Sequence, residues 1–289
     1  MMNLYKITQH SENQTLQAYL EEYHLGSRKI KSLFQQNKIF LNGTPVSENR
    51  ILKAKDILTI EEEEAIDFIP DAKKLDIIYE DDYILAVNKP SHILVHPDDK
   101  LKRGTMVNIV AFYYQNRGWT YPIRYAHRLD TDTTGVLLFA KDSLTLAKLD
   151  FLISTHELKR SYLCLVLGKL KNKTGCIDAP IGEDRHHQQR KRISKTGKQA
   201  ITYYEVLKEY KGYSLLRVNL KTGRTHQIRV HMAHIGHPLL GDTLYGKSDA
   251  RFARVMLHSY EAEFVHPVTH ERLIIKKNPP FDMKKWIKE

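Results

Sequence analysis

The sequence predicts an α+β protein: a mixed, mainly antiparallel sheet with flanking helices, preceded by a small α/β module. Three observations carry that expectation. Short apolar runs bounded by turn residues follow one another with few helical stretches between them. The runs Ala200 to Tyr210 and Tyr213 to Leu220 flank Lys211-Gly212, the pattern of a long hairpin. Near the N-terminus the apolar period is helical instead, and a turn-rich segment follows.

Residues 1–14 are expected to be an extension and residues 15–62 a compact unit. Leu16, Tyr19, Leu20 and Tyr23 recur at helical spacing. Ser27 stands where it would cap a second helix, with Ile30, Leu33 and Phe34 on the apolar face. Arg28, Lys31, Ser32 and Gln35 fall on the opposite face. Asn42-Gly43 predicts a hairpin turn, and Lys55-Asp56 a turn into the strand Ile57–Ile60. The acidic run Glu61 to Glu64 begins a linker, residues 63–76.

The large domain, residues 77–289, opens with strands at Ile77–Tyr79 and Ile84–Val87, the second broken at Asn88-Lys89-Pro90. Val136–Ala140 reads as a buried strand entered through a tight turn ending at Gly135. Leu144, Ala147, Lys148, Phe151 and Leu152 predict a helix, and Tyr162–Leu167 a buried strand. Ile228, Met232 and Ile235 mark one face of a helix stopped by Gly236 and Pro238. Met256–Val265 and Arg272–Ile275 close the domain as strands.

At 289 residues, 42% hydrophobic and 27% charged, the chain has the composition of a globular protein with room for two domains. A net charge of +11 favours a polyanionic partner, nucleic acid first. Cys164 and Cys176 form no Cys-x-x-Cys pair, so a zinc ribbon or disulfide framework is excluded and a reducing compartment fits. The N-terminus is too polar for a signal peptide, and no apolar run is long enough to span a bilayer. A cytoplasmic monomer with no membrane partner is the expectation. His226, His231, His234 and His237 lack metal-ligand spacing, and no cysteine or carboxylate completes a set, so no metal is expected. Arg185, Arg190, Lys191, Arg192, Lys195 and Lys198 crowd a stretch read as a mobile loop that meets phosphates.

Asp130 sits on the turn before Val136–Ala140, and three readings compete for it. Asp130-x-Asp132-x-x-Gly135 starts like a calcium loop, but Thr134 stands at the third ligand and Lys141 where the closing glutamate belongs. Asp130-x-Asp132-x-Thr134 is similar to the nucleophile loop of haloacid-dehalogenase-type phosphatases. That loop follows a buried strand, whereas here Arg124-Tyr125-Ala126-His127-Arg128 precedes the aspartate.

The third reading uses the whole run. His127-Arg128-Leu129-Asp130-Thr131-Asp132-Thr133-Thr134-Gly135, with the apolar strand and Lys141 after it, resembles the central motif of RluA-type pseudouridine synthases. Thr134 stands where serine is common and keeps the hydroxyl. Leu85-Ala86-Val87-Asn88-Lys89-Pro90 with Val95-His96-Pro97 resembles the family's opening strand. Lys159-Arg160-Ser161-Tyr162-Leu163 resembles the segment that supplies a tyrosine, and Gly223-Arg224-Thr225-His226-Gln227-Ile228-Arg229-Val230-His231 the helix that supplies an arginine. Gly241-Asp242, Tyr245-Gly246 and Leu257-His258 continue the order.

The resemblance implies an RNA-modifying isomerase that uses one aspartate and no cofactor. It implies Asp130 as the catalytic group, Arg229 as its ionic partner and Tyr162 as a stacking face for uracil with a proton-transfer role. Arg128 would fill the space left by a flipped base, with His127 beside it, and Leu257 would line the uracil pocket. Arg190, Arg192 and Arg224 would meet RNA phosphates. Ser27-Arg28, Phe40-Leu41-Asn42-Gly43 and Lys55-Asp56-Ile57-Leu58 resemble the RNA-binding domain named after ribosomal protein S-four, which implies RNA contact by Arg28 and Lys31. Large-subunit ribosomal RNA is the expected partner, with transfer RNA as the alternative. A non-catalytic RNA-binding or ribosome-assembly factor remains the competing function.

Overall fold

Among the described residues, ten strands form one sheet, in the order β10 (Thr174–Asp178), β13 (Ile201–Glu209), β14 (Tyr213–Leu220), β9 (Lys159–Leu167), β15 (Leu257–Val265), β8 (Thr134–Ala140), β6 (Ile84–Lys89) and β5 (Ile77–Glu80), with β16 (Arg272–Lys276) beside β15 and β7 (Arg124–Tyr125) beside β8. The computed structural model describes residues 4–61, 66–98, 102–187 and 189–287. The acidic run from Glu62 to Glu64, expected to start a linker, lies outside the described residues.

The small domain comprises β1 (Leu4–Lys6), α1 (Leu16–Glu22), α2 (Ser27–Gln35), β2 (Ile39–Leu41), β3 (Thr44–Pro45) and β4 (Ile57–Ile60). Thr15 caps α1 by accepting from the Ala18 amide at 3.2 Å. The cap of α2 is Gly26, not Ser27, which is already the first helical residue. Asn42 and Gly43 both adopt positive φ (53° and 76°), the geometry of a two-residue hairpin turn whose twist suits the strands. Residues 1–14 are not a bare extension. β1 pairs antiparallel with β4, and Tyr5 and Ile7 enter the core. A three-residue strand with one inward side chain is too short to show an alternation in sequence.

Part of the expected linker packs on the large domain. Ile66, Phe68 and Leu75 pack on its core, and Asn108 Nδ2 donates to the Ile69 carbonyl at 2.8 Å. That domain contains β5 (Ile77–Glu80), β6 (Ile84–Lys89), α3 (Met106–Asn116), β7 (Arg124–Tyr125), β8 (Thr134–Ala140), α4 (Ser143–Ser154) and β9 (Lys159–Leu167). It continues through β10 (Thr174–Asp178), β11 (Ile181–Glu183), β12 (Lys191–Ile193), β13 (Ile201–Glu209), β14 (Tyr213–Leu220) and α5 (Gln227–His234). It ends with β15 (Leu257–Val265), β16 (Arg272–Lys276) and α6 (Phe281–Lys284).

β8 is the centre. Leu137 and Phe139 face the core beneath α3, whereas Val136, Leu138 and Ala140 face the core beneath α4. Burial on both faces explains the unbroken apolar run. All pairings within the ladders are antiparallel except β8 with β15. At that parallel junction Gly135 has φ +109°, and a Cβ there would lie 2.1 Å from the Ser259 carbonyl oxygen.

The two domains meet at the start of α4. Asp142 caps this helix through the Thr145 amide and also accepts from the Tyr5 hydroxyl. Leu144 joins the small-domain core. Tyr83 donates to the Leu4 carbonyl at 2.6 Å, and Lys148 Nζ to the Glu22 carbonyl at 3.0 Å.

Gly135→Ala is therefore expected to lower the free energy of unfolding in urea by roughly 3 kcal/mol or more, because backbone must move on both strands. A loss below 1 kcal/mol would contradict the parallel junction.

Candidate active site

Asp130 lies between β7 and β8, on a turn closed by the Thr133 amide donating to its carbonyl at 3.0 Å. The next three carbonyls are held by two buried cations. Lys89, at the end of β6 and 0% exposed, donates from Nζ to Thr131 O (2.7 Å), Thr133 O (2.9 Å) and Pro90 O (2.9 Å). Arg254, also buried, donates from Nη1 to Asp132 O (3.2 Å), Val255 O (2.8 Å) and Leu257 O (3.1 Å), while Asp282 pairs its Nε at 2.6 Å. Burial pulls Lys89 down to about 7, against the attraction of Asp132 and Asp130.

The entry to β8 is fixed by two neutral histidines. Thr134 Oγ1 lies 2.8 Å from His258 Nδ1, and His258 Nε2 lies 2.8 Å from the Lys277 carbonyl. The carbonyl can only accept, so Nε2 carries the proton and the threonine hydroxyl donates. Burial holds His258 down to about 4. His127 accepts from the Leu138 amide at 3.4 Å, and burial together with the Arg160 charge pulls it down to about 3. His127, expected as an RNA contact, is a buried, neutral ring on the cleft wall that props β8.

The Asp130 carboxylate is 25% exposed and faces the start of α5. Arg229 Nη1 lies 3.6 Å from its Oδ2, and His226 Nε2 lies 4.0 Å away. Arg229 is oriented by Asp242, which accepts from Nε at 2.8 Å and Nη2 at 2.9 Å. Asp242 is itself fixed by the amides of Leu244 and Tyr245, both at 3.1 Å. Burial works against the Arg229 charge, yet Asp242 outweighs it and holds the guanidinium above its ordinary value. The Tyr245 hydroxyl accepts from the Lys191 amide (2.8 Å) and lies 2.9 Å from His226 Nδ1.

Asp130, Tyr162, Arg229, Leu257, Arg128 and Arg224 line one cleft of about 1380 Å³. Tyr162 is buried, and burial raises its hydroxyl above the usual range. Arg128 is exposed, with Nη1 3.2 Å from His96 Nε2. Arg224 donates from Nε to the Gln199 carbonyl at 2.9 Å. Arg28 and Lys31 lie apart, exposed on α2. Arg190 and Arg192 lie outside the cleft wall, and Arg190 sits over the Tyr245 ring at 5.4 Å. The stretch expected as a mobile loop contains a hairpin, β11 with β12, closed by the ion pair of Lys191 with Glu183. Lys191 from that hairpin reaches the cleft.

Sequence reasoning missed Lys89 and Arg254 as supports and gave His258 no role. Lys89 had a signal: a lysine closing the apolar run Ile84–Val87. His231, set aside as a metal ligand, is held by Thr202 Oγ1 and the Ala179 carbonyl, each at 2.9 Å.

A carboxylate paired with a fixed guanidinium, beside a buried tyrosine in an open basic cleft, suits chemistry on a nucleotide. A family model described as RNA pseudouridylate synthase matches residues 83–234. The chain is 41% identical over 259 residues to an uncharacterized RNA pseudouridine synthase of Bacillus subtilis, YhcT, with 88% of this chain and 86% of that one covered. It is 34% identical over 273 residues to ribosomal large subunit pseudouridine synthase D of Vibrio cholerae, covering 88% and 84%. Among solved structures, human RNA pseudouridylate synthase domain containing 1 superposes with a TM-score of 0.59 at 25% identity, over 73% of this chain and 86% of that one. The chain belongs to the RluA-type pseudouridine synthases, and so is an isomerase acting on RNA. Membership removes the phosphatase reading. Its geometric objection also stands, since only the two-residue β7 precedes Asp130 and the apolar strand follows.

Lys89→Met leaves three inward carbonyls without their donor. Unfolding free energy is expected to fall by about 2–5 kcal/mol, and turnover to fall with it as the turn relaxes. Urea denaturation and a single-turnover assay check this. The two depressed histidines give a pH dependence. The folded rings stay neutral while unfolded ones protonate below about 6.5, so their stabilisation is complete above that pH and is lost as pH falls toward 4 and 3. From pH 7 to 5 each ring is expected to cost about 2 kcal/mol. His258→Asn, which can still accept from Thr134, should remove about half of that decline in urea titrations.

Proposed function

We propose that this chain converts specific uridines of large-subunit ribosomal RNA to pseudouridine with Asp130 as the catalytic group and no cofactor. The observation that carries the reading is the Asp130–Arg229 pair, set in the same cleft as Tyr162. Pseudouridine formation breaks the bond from uracil N1 to ribose C1′, turns the base and rejoins it through C5. No electrons are gained or lost, so a carboxylate suffices as nucleophile or charge stabiliser. The relatives named as large-subunit synthases support ribosomal RNA over transfer RNA as substrate.

The remaining roles follow from position. Flipping a uridine out of its stack costs on the order of a few kcal/mol, and stacking on an aromatic face returns roughly 1–3 kcal/mol. Tyr162 offers that face, and Leu257 lies on the same cleft wall to pack against uracil. Arg128, exposed at the cleft, occupies the gap that the base leaves. Arg28 and Lys31 on α2 and Arg190, Arg192 and Arg224 near the cleft bind phosphates, which sets affinity and register. The small domain serves as an RNA-binding module of the ribosomal-protein-S-four type.

Asp130→Asn preserves shape and removes the charge. Expressed in cells lacking the gene, it should restore no pseudouridine, whereas the wild type restores it at defined large-subunit positions. Pseudouridine mapping of total RNA reads both. Full restoration by the variant would sink the aspartate mechanism, and restoration only in transfer RNA would sink the ribosomal assignment.

A further inference from the structure

Arg160 has no part in the ion pairs described above. It lies in β9 two residues before Tyr162, so both side chains project from one face of the sheet, into the cleft. It is only 8% exposed, yet its Nε has no hydrogen-bond partner among the described residues. The other two deeply set arginines are paired, Arg254 with Asp282 and Arg229 with Asp242 and Asp130. Burial of an unpaired charge is costly, and a fold retains one only where something later pairs it.

The loop between β14 and α5 lies over the guanidinium, and a Cβ on Gly223 would come 3.3 Å from Arg160 Nη2. The surroundings are positive. His156, on the same wall of the cleft, is held below its ordinary value by burial and then by Lys221 and Arg160. Asp150, a carboxylate on the α4 side, forms no ion pair with Arg160, and burial raises it above the usual carboxylate range. A largely buried guanidinium with no ion-pair partner among the described residues, opening on a cleft, suits an oxyanion.

We propose that Arg160 is an anion subsite that takes a backbone phosphate of the nucleotide whose base stacks at Tyr162. The inference rests on the reading of the cleft as the site of the target uridine. Along β9 the two residues are about 7 Å apart, a separation that one nucleotide can bridge from base to phosphate. Phosphate pairing then supplies the missing partner only in the complex, so Arg160 contributes to binding and to seating the nucleotide over Asp130.

The test uses the full-length protein, with inorganic phosphate and an unmodified large-subunit ribosomal RNA transcript as probes. Arg160→Met removes the charge and keeps bulk, and Arg160→Lys keeps the charge. Without ligand, Arg160→Met should melt at or above the wild-type temperature, since it loses no partner. Inorganic phosphate should raise the melting temperature of the wild type more than that of Arg160→Met. RNA affinity of the Met variant should fall about tenfold, and the slope of log affinity against log salt should shrink by about 0.7–0.9, the change for one lost phosphate contact. Arg160→Lys should keep the wild-type slope. If Arg160→Met melts well below the wild type, or its phosphate response and salt slope match the wild type, Arg160 is a packing residue and the proposal fails. The two readings fail separately. A wild type with an Arg160-dependent salt slope and no uridine isomerisation sinks the ribosomal isomerase alone, and intact isomerisation with an unchanged slope sinks the subsite alone.

Discussion

Two buried cations hold the turn that presents Asp130, and the architecture around the cleft follows from them. Three consecutive carbonyls, of Thr131, Asp132 and Thr133, point inward where no strand can serve them. An unserved buried carbonyl is expensive, so the turn requires donors that are themselves fixed. Lys89 ends β6 and Arg254 precedes β15, the two strands that flank β8. β6 runs antiparallel to β8, with Lys89 opposite Gly135. β15 runs parallel to it, with His258 opposite Thr134. That one parallel pairing brings the start of β15 to the same end of the sheet as the end of β6. Both cations therefore reach the same turn from opposite sides, and Gly135 is required because the parallel neighbour comes so close there.

The charges in the cleft form a graded series. Arg229 is bound tightly to Asp242, at 2.8 and 2.9 Å, and only leans toward Asp130 at 3.6 Å. A bidentate pair fixes a guanidinium in direction as well as distance. Asp242 thus aims Arg229, and Asp130 keeps an oxygen available for a substrate. His226 repeats the arrangement from the other side, its Nδ1 2.9 Å from the Tyr245 hydroxyl and its Nε2 4.0 Å from Asp130. Through the Lys191 amide, Tyr245 also ties this histidine to the β11–β12 hairpin. A shift of that basic hairpin would be felt at the Asp130 carboxylate.

Much of this was legible in sequence because it repeats with a period or occurs as an ordered motif. β8 and β9 show as bounded apolar runs, and the pair β13–β14 shows as a long hairpin. Asp130, Tyr162 and Arg229 stand in motifs that keep one order along the chain. α3 was not legible, because seven of its eleven residues are buried and no polar face marks a helical period. β1 was too short to alternate. Lys89 and Arg254 look like surface residues in any composition count. Only the fold shows that a lysine after an apolar run is wholly enclosed and that an arginine before β15 has an acidic partner 28 positions on. His127 is the opposite case: a polar residue in a basic motif that the backbone of β8 holds inside.

α4 connects the two levels of the molecule. Its N-terminal half is the docking point of the small domain, through Asp142, Leu144 and Lys148. Its last turns line the cleft, through Asp150, Ile153 and Ser154. Twelve helical residues span about 18 Å, and a single helix transmits position without a hinge. The Tyr5–Asp142 bond sits on the very carboxylate that caps this helix, so the docking and the helix start depend on one side chain. The small domain is therefore carried at a set distance from the cleft that holds Asp130.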